Sequence, residues 1–216
     1  MTKKAREISL GFTDAIFREG LHIVYLYNDD FEKKKTMGKF LKQGWLENEK
    51  LLYLVDDISH EEILHELLEL GLDAHDMQND FDITQGHYAC CPNHCFSGDF
   101  MLGIVQDYYQ RALDDGYSGA RGVGAMSWAL REDRSTIPEL LEYEARLNSI
   151  LQDYPLTTVC QYDVRKFDGA LIMDLLSVHP MMIVRGQLVK NPTYIEPDDF
   201  LREYHDRLNR QEDHKA

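Results

Sequence analysis

The densest chemistry in the sequence is a run of sulfur and imidazole, His87-x-x-Cys90-Cys91-x-x-His94-Cys95. It holds three of the chain's four cysteines. Thiolate and imidazole together can close a tetrahedral zinc site, and sulfur ligands also suit iron–sulfur or copper(I). Cys90 and His94 are four apart, as are Cys91 and Cys95, and Pro92-Asn93 favours a turn between the two halves. The expectation is therefore a metal or redox-responsive loop with His87, Cys90, Cys91, His94 and Cys95 as ligands. The implied cofactor is zinc or another thiolate-bound metal. Clustered cysteines in an intracellular chain point to such chemistry before they point to a disulfide scaffold. No second knuckle occurs elsewhere in the sequence, so a loop of free thiols is the plain alternative.

Other chemistries leave no mark. There is no G-x-S-x-G and no H-E-x-x-H, and nothing specific supports an enzyme. A phosphate loop needs G-x-x-x-x-G-K-[ST], because its glycine amides cradle phosphate and its hydroxyl holds magnesium. The segment Asn28–Leu41 carries Gly38-Lys39, but Phe40 stands where the hydroxyl belongs and Lys33 where the first glycine belongs. Asp29 and Asp30 would repel a triphosphate, so ATP is not expected. Gly119, Gly122 and Gly124 run into a strand, whereas a dinucleotide fingerprint leaves one and opens a helix.

The elements that must position any site alternate between strand and helix patterns, which implies an α/β fold with a mainly parallel central sheet flanked by helices. Leu21–Tyr27, Leu51–Val55, Asp82–Thr84, Gly122–Trp128 and Thr157–Tyr162 read as strands. Met181–Val184 and Gln187–Val189 read as a hairpin across Arg185-Gly186. Helices are expected from about Phe31 to Gln43, with Phe31, Met37, Phe40 and Leu41 inward and Gly44 as a stop. Further helices follow a Ser59–Glu62 capping box, an Asp99 cap, a Thr136-x-Pro138-Glu139 start, and Ala170–Val178. A last helix begins near Pro197, and the tail from Arg210 reads as charged and frayed. One domain over 1–209 with a charged tail at 210–216 is the expected organisation for 216 residues.

The net charge of −15 disfavours direct nucleic-acid binding and docking on anionic membranes. No apolar run is long enough to span a bilayer, and Met1–Glu7 lacks a signal core. A cytoplasmic location follows, with a homodimer as the commonest default. Ligands of such sheets bind beyond the carboxyl ends of the strands. There the sequence places Tyr27, Trp128, Tyr162 and Asp163. Trp128 and Tyr162 can wall an apolar pocket with a polar handle; the bland alternative makes Trp128 core and Asp163 a helix cap. Glu144 and Asn148, four apart, share one helix face and can hydrogen-bond a neighbouring strand in a structural role.

Taken in order, several segments are similar to one family. They are Gly20–Tyr27, Phe40-Leu41 through Gly44 with Leu51–Val55, Gly116-Tyr117 through Arg121, Gly124–Leu130, Glu142–Asn148, Cys160–Asp163, and His179-Pro180 through Asn191-Pro192. The chain resembles the methanogen/methylotroph sensory domain, MEDS. The resemblance implies a RecA-like, three-layer core whose phosphate loop has been lost. It also implies a small-molecule ligand of simple hydrocarbon or one-carbon type, and output through a histidine kinase or transcription regulator. His22, Cys160 and His179 match its motif positions and join the ligand-binding candidates; buried, each also has a plain core reading. The Cys90–Cys95 stretch is unlike the family's usual loop. Two other readings stay open: a RecA-like nucleotide-binding ATPase with a degenerate loop, and a scaffold that binds only protein.

Overall fold

The computed structural model describes residues 6–55, 60–69, 72, 80–85, 96–130 and 136–213. His87, Cys90, Cys91, His94 and Cys95 therefore lie outside the described residues, as does Ser59. In chain order the elements are β1 (Glu7–Ser9), β2 (Ile16–Arg18), β3 (His22–Tyr27), α1 (Asp30–Leu46), β4 (Glu49–Val55), α2 (His60–Glu69), β5 (Phe81–Gln85) and α3 (Gly98–Asp114). They continue with β6 (Gly119–Ala125), a 3₁₀ turn (Ser127–Leu130), α4 (Ile137–Asp153), β7 (Thr157–Asp163), α5 (Gly169–Val178), β8 (Met181–Val184), β9 (Gln187–Lys190) and α6 (Pro197–Asp213).

Seven strands form one sheet in the order β5-β4-β6-β7-β3-β8-β9, parallel except for β9. The central strands are buried on both faces and so carry near-continuous apolar sequence. Alternation still decides which face each side chain meets. Ile23, Tyr25, Leu51, Tyr53, Val123 and Val159 pack with Met37, Phe40 and Leu41 of α1. Val24, Ala120, Cys160 and Tyr162 pack with α3, α4 and α5 on the opposite side. The result is three layers, with α6 laid against α4 and α5. In the parallel β3–β7 register His22 faces Thr158 and Val24 faces Cys160. This pairing brings together two strands that lie far apart in sequence.

Several local expectations change. A β1–β2 hairpin precedes the sheet; its three-residue strands are too short to show a period. Helix α1 runs past Gly44 to Leu46. Gly44 is not a stop but a close-approach site, where a Cβ would lie 2.6 Å from Arg121 Cδ. Phe31 is 76% exposed rather than inward. The cap of α3 is Ser97, whose hydroxyl accepts from Phe100 N, not Asp99. Thr136 caps α4 by position only. Its hydroxyl donates to Ala129 O, while Glu139 accepts from Gly98 N. Strand β6 ends at Ala125, so Trp128 sits in the following 3₁₀ turn. Helix α6 continues to Asp213, past Arg210. The hairpin β8–β9 turns on Arg185 and Gly186, both at positive φ, as a two-residue turn of this type requires.

A buried ionic cluster ties the amino ends of these elements together. Arg121 of β6 is fully buried and donates to Glu49 of β4, to Phe40 O (3.1 Å), to Ser9 O (2.7 Å) and to Glu47 Oε2 (3.1 Å). Arg6 donates to Glu49 and to Glu19. Every charge in the cluster has an opposite partner, which is the condition for keeping ions out of water.

Candidate functional site

Four side chains that can each offer a ligand atom converge on the α3–α5 side of the sheet: His22, Glu144, Cys160 and His179. Their ligand atoms all lie within 4.8 Å of one another, and all four residues are buried. His22 opens β3, Cys160 lies in β7, Glu144 projects from the inner face of α4, and His179 ends α5. His22 Nε2 is 3.0 Å from Glu144 Oε2 and 3.5 Å from Cys160 Sγ. Cys160 Sγ is 3.6 Å from Glu144 Oε2, and His179 Nε2 is 3.5 Å from the same oxygen. The two imidazoles lie with ring centroids 4.1 Å apart.

An outer ring of partners fixes each group. Asn148 donates through Nδ2 to the carbonyls of Glu144, Ala145 and Val178, so its Oδ1 must accept. His22 Nδ1 is then the donor to that oxygen, at 3.0 Å. His179 Nδ1 donates to Leu175 O at 2.7 Å, because a carbonyl only accepts. Both Nε2 atoms are thereby turned inward. Tyr162 donates its hydroxyl to Glu144 Oε1. Burial and the neighbouring His22 push the His179 imidazolium down to about 3, so the ring is neutral. Burial works to raise the Glu144 carboxyl, but the two imidazoles and the Tyr162 hydroxyl outweigh it and hold the group below its ordinary range. Burial and Glu144 push the Tyr162 phenol well above its ordinary range.

Cys160 also borders an apolar cavity of about 40 Å³ between the sheet and α3. Leu52, Leu54, Met101, Gly124 and Trp128 are among its walls. The bare edge of β6 opens it: a Cβ on Gly124 would meet only Met126 within 4 Å. Trp128 stacks near Phe96, with centroids 4.9 Å apart, and its Nε1 is buried without a hydrogen-bond partner among the described residues. A space of this size is a few times the roughly 10–15 Å³ that one water requires.

Tyr27 and Asp163 lie elsewhere. They face each other in register at the carboxyl ends of β3 and β7, on a cleft of about 370 Å³ that also takes in Lys33 and Arg165. The connection from β3 to α1 is only Asn28-Asp29. The Asp29 carboxylate accepts from Phe31 N (2.8 Å) and Glu32 N (3.0 Å), two amides at the start of the helix. Arg165 pairs with Asp163 and with Asp30, and its guanidinium holds both carboxyls below their ordinary range. Asp163 also accepts from Arg165 N, closing a turn.

The candidates thus separate into three groups. His22, Cys160, His179 and, through Glu144, Tyr162 form one buried centre; Trp128 walls the cavity beside it; Tyr27 and Asp163 line the cleft. Glu144 completes the buried centre although sequence reasoning left it as a structural helix residue. Its signal was an acid among Leu140, Leu141 and Leu147 on the inner face of α4.

The family described as MEDS, the MEthanogen/methylotroph, DcmR Sensory domain, matches residues 21–180. The chain belongs to the MEDS family. The matched span begins one residue before His22 and ends one after His179, so the whole buried centre falls within the MEDS match. A transcriptional repressor, DcmR of Methylorubrum extorquens, is 39% identical over 80 residues, 37% of this chain and 30% of the repressor. The match therefore spans less than a third of the repressor's length. Among solved structures, a KaiC-like protein from Pyrococcus horikoshii superposes with a TM-score of 0.60 at 16% identity, covering 83% of this chain and 80% of that one. That likeness is one of fold, and it agrees with the three-layer, mainly parallel α/β architecture. No helix among the described residues is long and apolar enough to cross a membrane.

Proposed function

We propose that this MEDS chain is a cytoplasmic small-molecule sensor that admits a compound of a few heavy atoms, of simple hydrocarbon or one-carbon type, to the cavity between β4, β6, β7 and α3. The observation that carries the reading is the cavity itself: mainly apolar walls, a volume of about 40 Å³, and an indole N–H without a partner among the described residues. Such a site rewards shape and dispersion. A nucleotide is a poorer ligand. The helix-start amides that a phosphate loop would aim at its ligand are bonded to Asp29, and Arg165 is held by two carboxylates. These features support a RecA-like core without a working phosphate loop. Output through a transcription regulator is the reading that the likeness to a repressor favours, with a histidine kinase as the other candidate partner.

The test is a thermal-shift titration with one- to four-carbon alkanes, alcohols and halides, set beside ATP–Mg²⁺. A ligand present at 100 times its Kd stabilises by about 2.7 kcal/mol. Stabilisation by a small apolar compound, and none by ATP–Mg²⁺, is the expected outcome. The reverse would overturn the reading in favour of a nucleotide-binding protein.

A further inference from the structure

The geometry points to His22, Glu144, Cys160 and His179 as a binding site for one divalent transition ion, with zinc the best match to the donor set. This goes beyond the small-molecule reading and does not depend on it. The first ground is the convergence of four ligand atoms, one of them without a partner. Asn148 and Leu175 O take the Nδ1 hydrogens of His22 and His179, so both Nε2 atoms face Glu144 Oε2. His179 Nε2 is buried and has no hydrogen-bond partner among the described residues. A buried polar atom without a partner is costly, and a cation at the centre gives His179 Nε2 one while holding the other three ligand atoms.

The second ground is spacing. With zinc–nitrogen and zinc–oxygen lengths near 2.0–2.2 Å, zinc–sulfur near 2.3 Å and tetrahedral angles, ligand atoms should lie about 3.3 Å apart for nitrogen with oxygen and about 3.6 Å apart for pairs with sulfur. The two nitrogen–oxygen separations are 3.0 and 3.5 Å, sulfur lies 3.5 Å from His22 Nε2 and 3.6 Å from Glu144 Oε2, and all ligand atoms fall within 4.8 Å of one another. The third ground is the outer ring. Each imidazole donates its other N–H to a fixed acceptor and Glu144 Oε1 accepts from Tyr162, the arrangement that orients metal ligands. Charge also balances: on binding, the Cys160 thiol proton and any proton held at a histidine Nε2 pass to solvent. Thiolate and carboxylate then neutralise the two charges of the ion, so no net charge is buried. Asn148, on the outer ring, also lines a surface groove at the amino ends of the strands, one side chain away from the centre.

The test uses the full chain, untagged, with Cys90, Cys91 and Cys95 changed to Ser so that sulfur signals come from Cys160 alone. After chelator treatment it is titrated with Co²⁺, and zinc is measured by elemental analysis on protein as purified. The expected result is one Co²⁺ per chain, intense tetrahedral d–d bands and a thiolate-to-cobalt charge-transfer band. The charge-transfer band should vanish in Cys160→Ser. In His179→Gln the affinity should fall by more than the 10–100-fold typical of losing an outer partner. If Cys160→Ser fails to fold, the His179→Gln affinity decides. Absence of stoichiometric Co²⁺ and zinc, or a charge-transfer band that persists without Cys160, would overturn the site. That failure is distinct from failure of the small-molecule reading, which is judged by its own titration.

Discussion

Replacing Asn148 by Ala is the sharpest structural perturbation of the buried centre, because one side chain serves three elements. Its bonds to Glu144 O and Ala145 O lie within its own helix, where those carbonyls already have backbone partners, so losing them costs little. The bonds to His22 Nδ1 of β3 and to Val178 O (2.8 Å) at the end of α5 are different. His22 and Val178 are each 1% exposed, so the truncation strands a buried donor and a buried acceptor. Each orphaned group costs about 1–3 kcal/mol. Asn148 is half-buried beside a groove, so water can reach part of the gap, and about 2–3 kcal/mol in total is the expected loss. For a chain of this size that lowers Tm by roughly 4–12 °C. Urea unfolding followed by circular dichroism, in chelator so that no ion contributes, measures it. The midpoint should fall with the m-value unchanged. A loss below about 0.5 kcal/mol, the level of an ordinary surface change, would refute the idea that Asn148 holds His22 and the α5 terminus together.

The remaining expectations concern other parts of the molecule. Glu49→Ala leaves the fully buried Arg121 without its main counter-ion and should cost about 3–5 kcal/mol, read by calorimetry; a change under 1 kcal/mol would mean the cluster contributes no net stability. Gly124→Ala places a methyl in the cavity against Met126 alone, so it should weaken small-molecule stabilisation at least tenfold while leaving the unliganded Tm within about 2 °C; unchanged binding would put the ligand elsewhere. The Asp163 and Asp30 carboxyls are depressed below 3.8, chiefly by hydrogen bonds from Arg165, so their contribution is present above that value and is lost as pH falls through the depressed pKa values. Arg165→Ala should therefore be less stable than the parent at pH 7, and the gap should close as the pH drops below about 4. A gap constant from pH 7 to pH 2 would remove the carboxylates from the explanation.

The α/β alternation was legible because strand runs, apolar helix faces and the Arg185-Gly186 turn are local signals, whereas the side-chain caps of α3 and α4 were not. What could not be read was the strand order. β3 pairs with β7 across more than 130 residues, and only that pairing sets His22 beside Cys160. The resemblance nominated His22, Cys160 and His179, whereas their common centre needs Glu144, an acid whose position on an apolar helix face was visible but whose facing strand was not. Trp128 was expected to end a strand; Ser127–Leu130 instead forms a 3₁₀ turn, which folds the indole back over the sheet towards Phe96. Arg121 stood just before the expected strand Gly122–Trp128, at the end of one of the segments that resemble the family. Its burial follows from Gly44 and Glu49, which belong to other elements.

Crystals of the full chain exposed to dibromomethane, with bromine located by anomalous scattering, test the sensory cavity most directly. The expected result is bromine density within the space bounded by Leu54, Met101, Gly124 and Trp128, lost in Gly124→Ala. Ordered bromine elsewhere with that space vacant, or crystals in which only ATP–Mg²⁺ binds, at the cleft beside Tyr27 and Asp163, would contradict it.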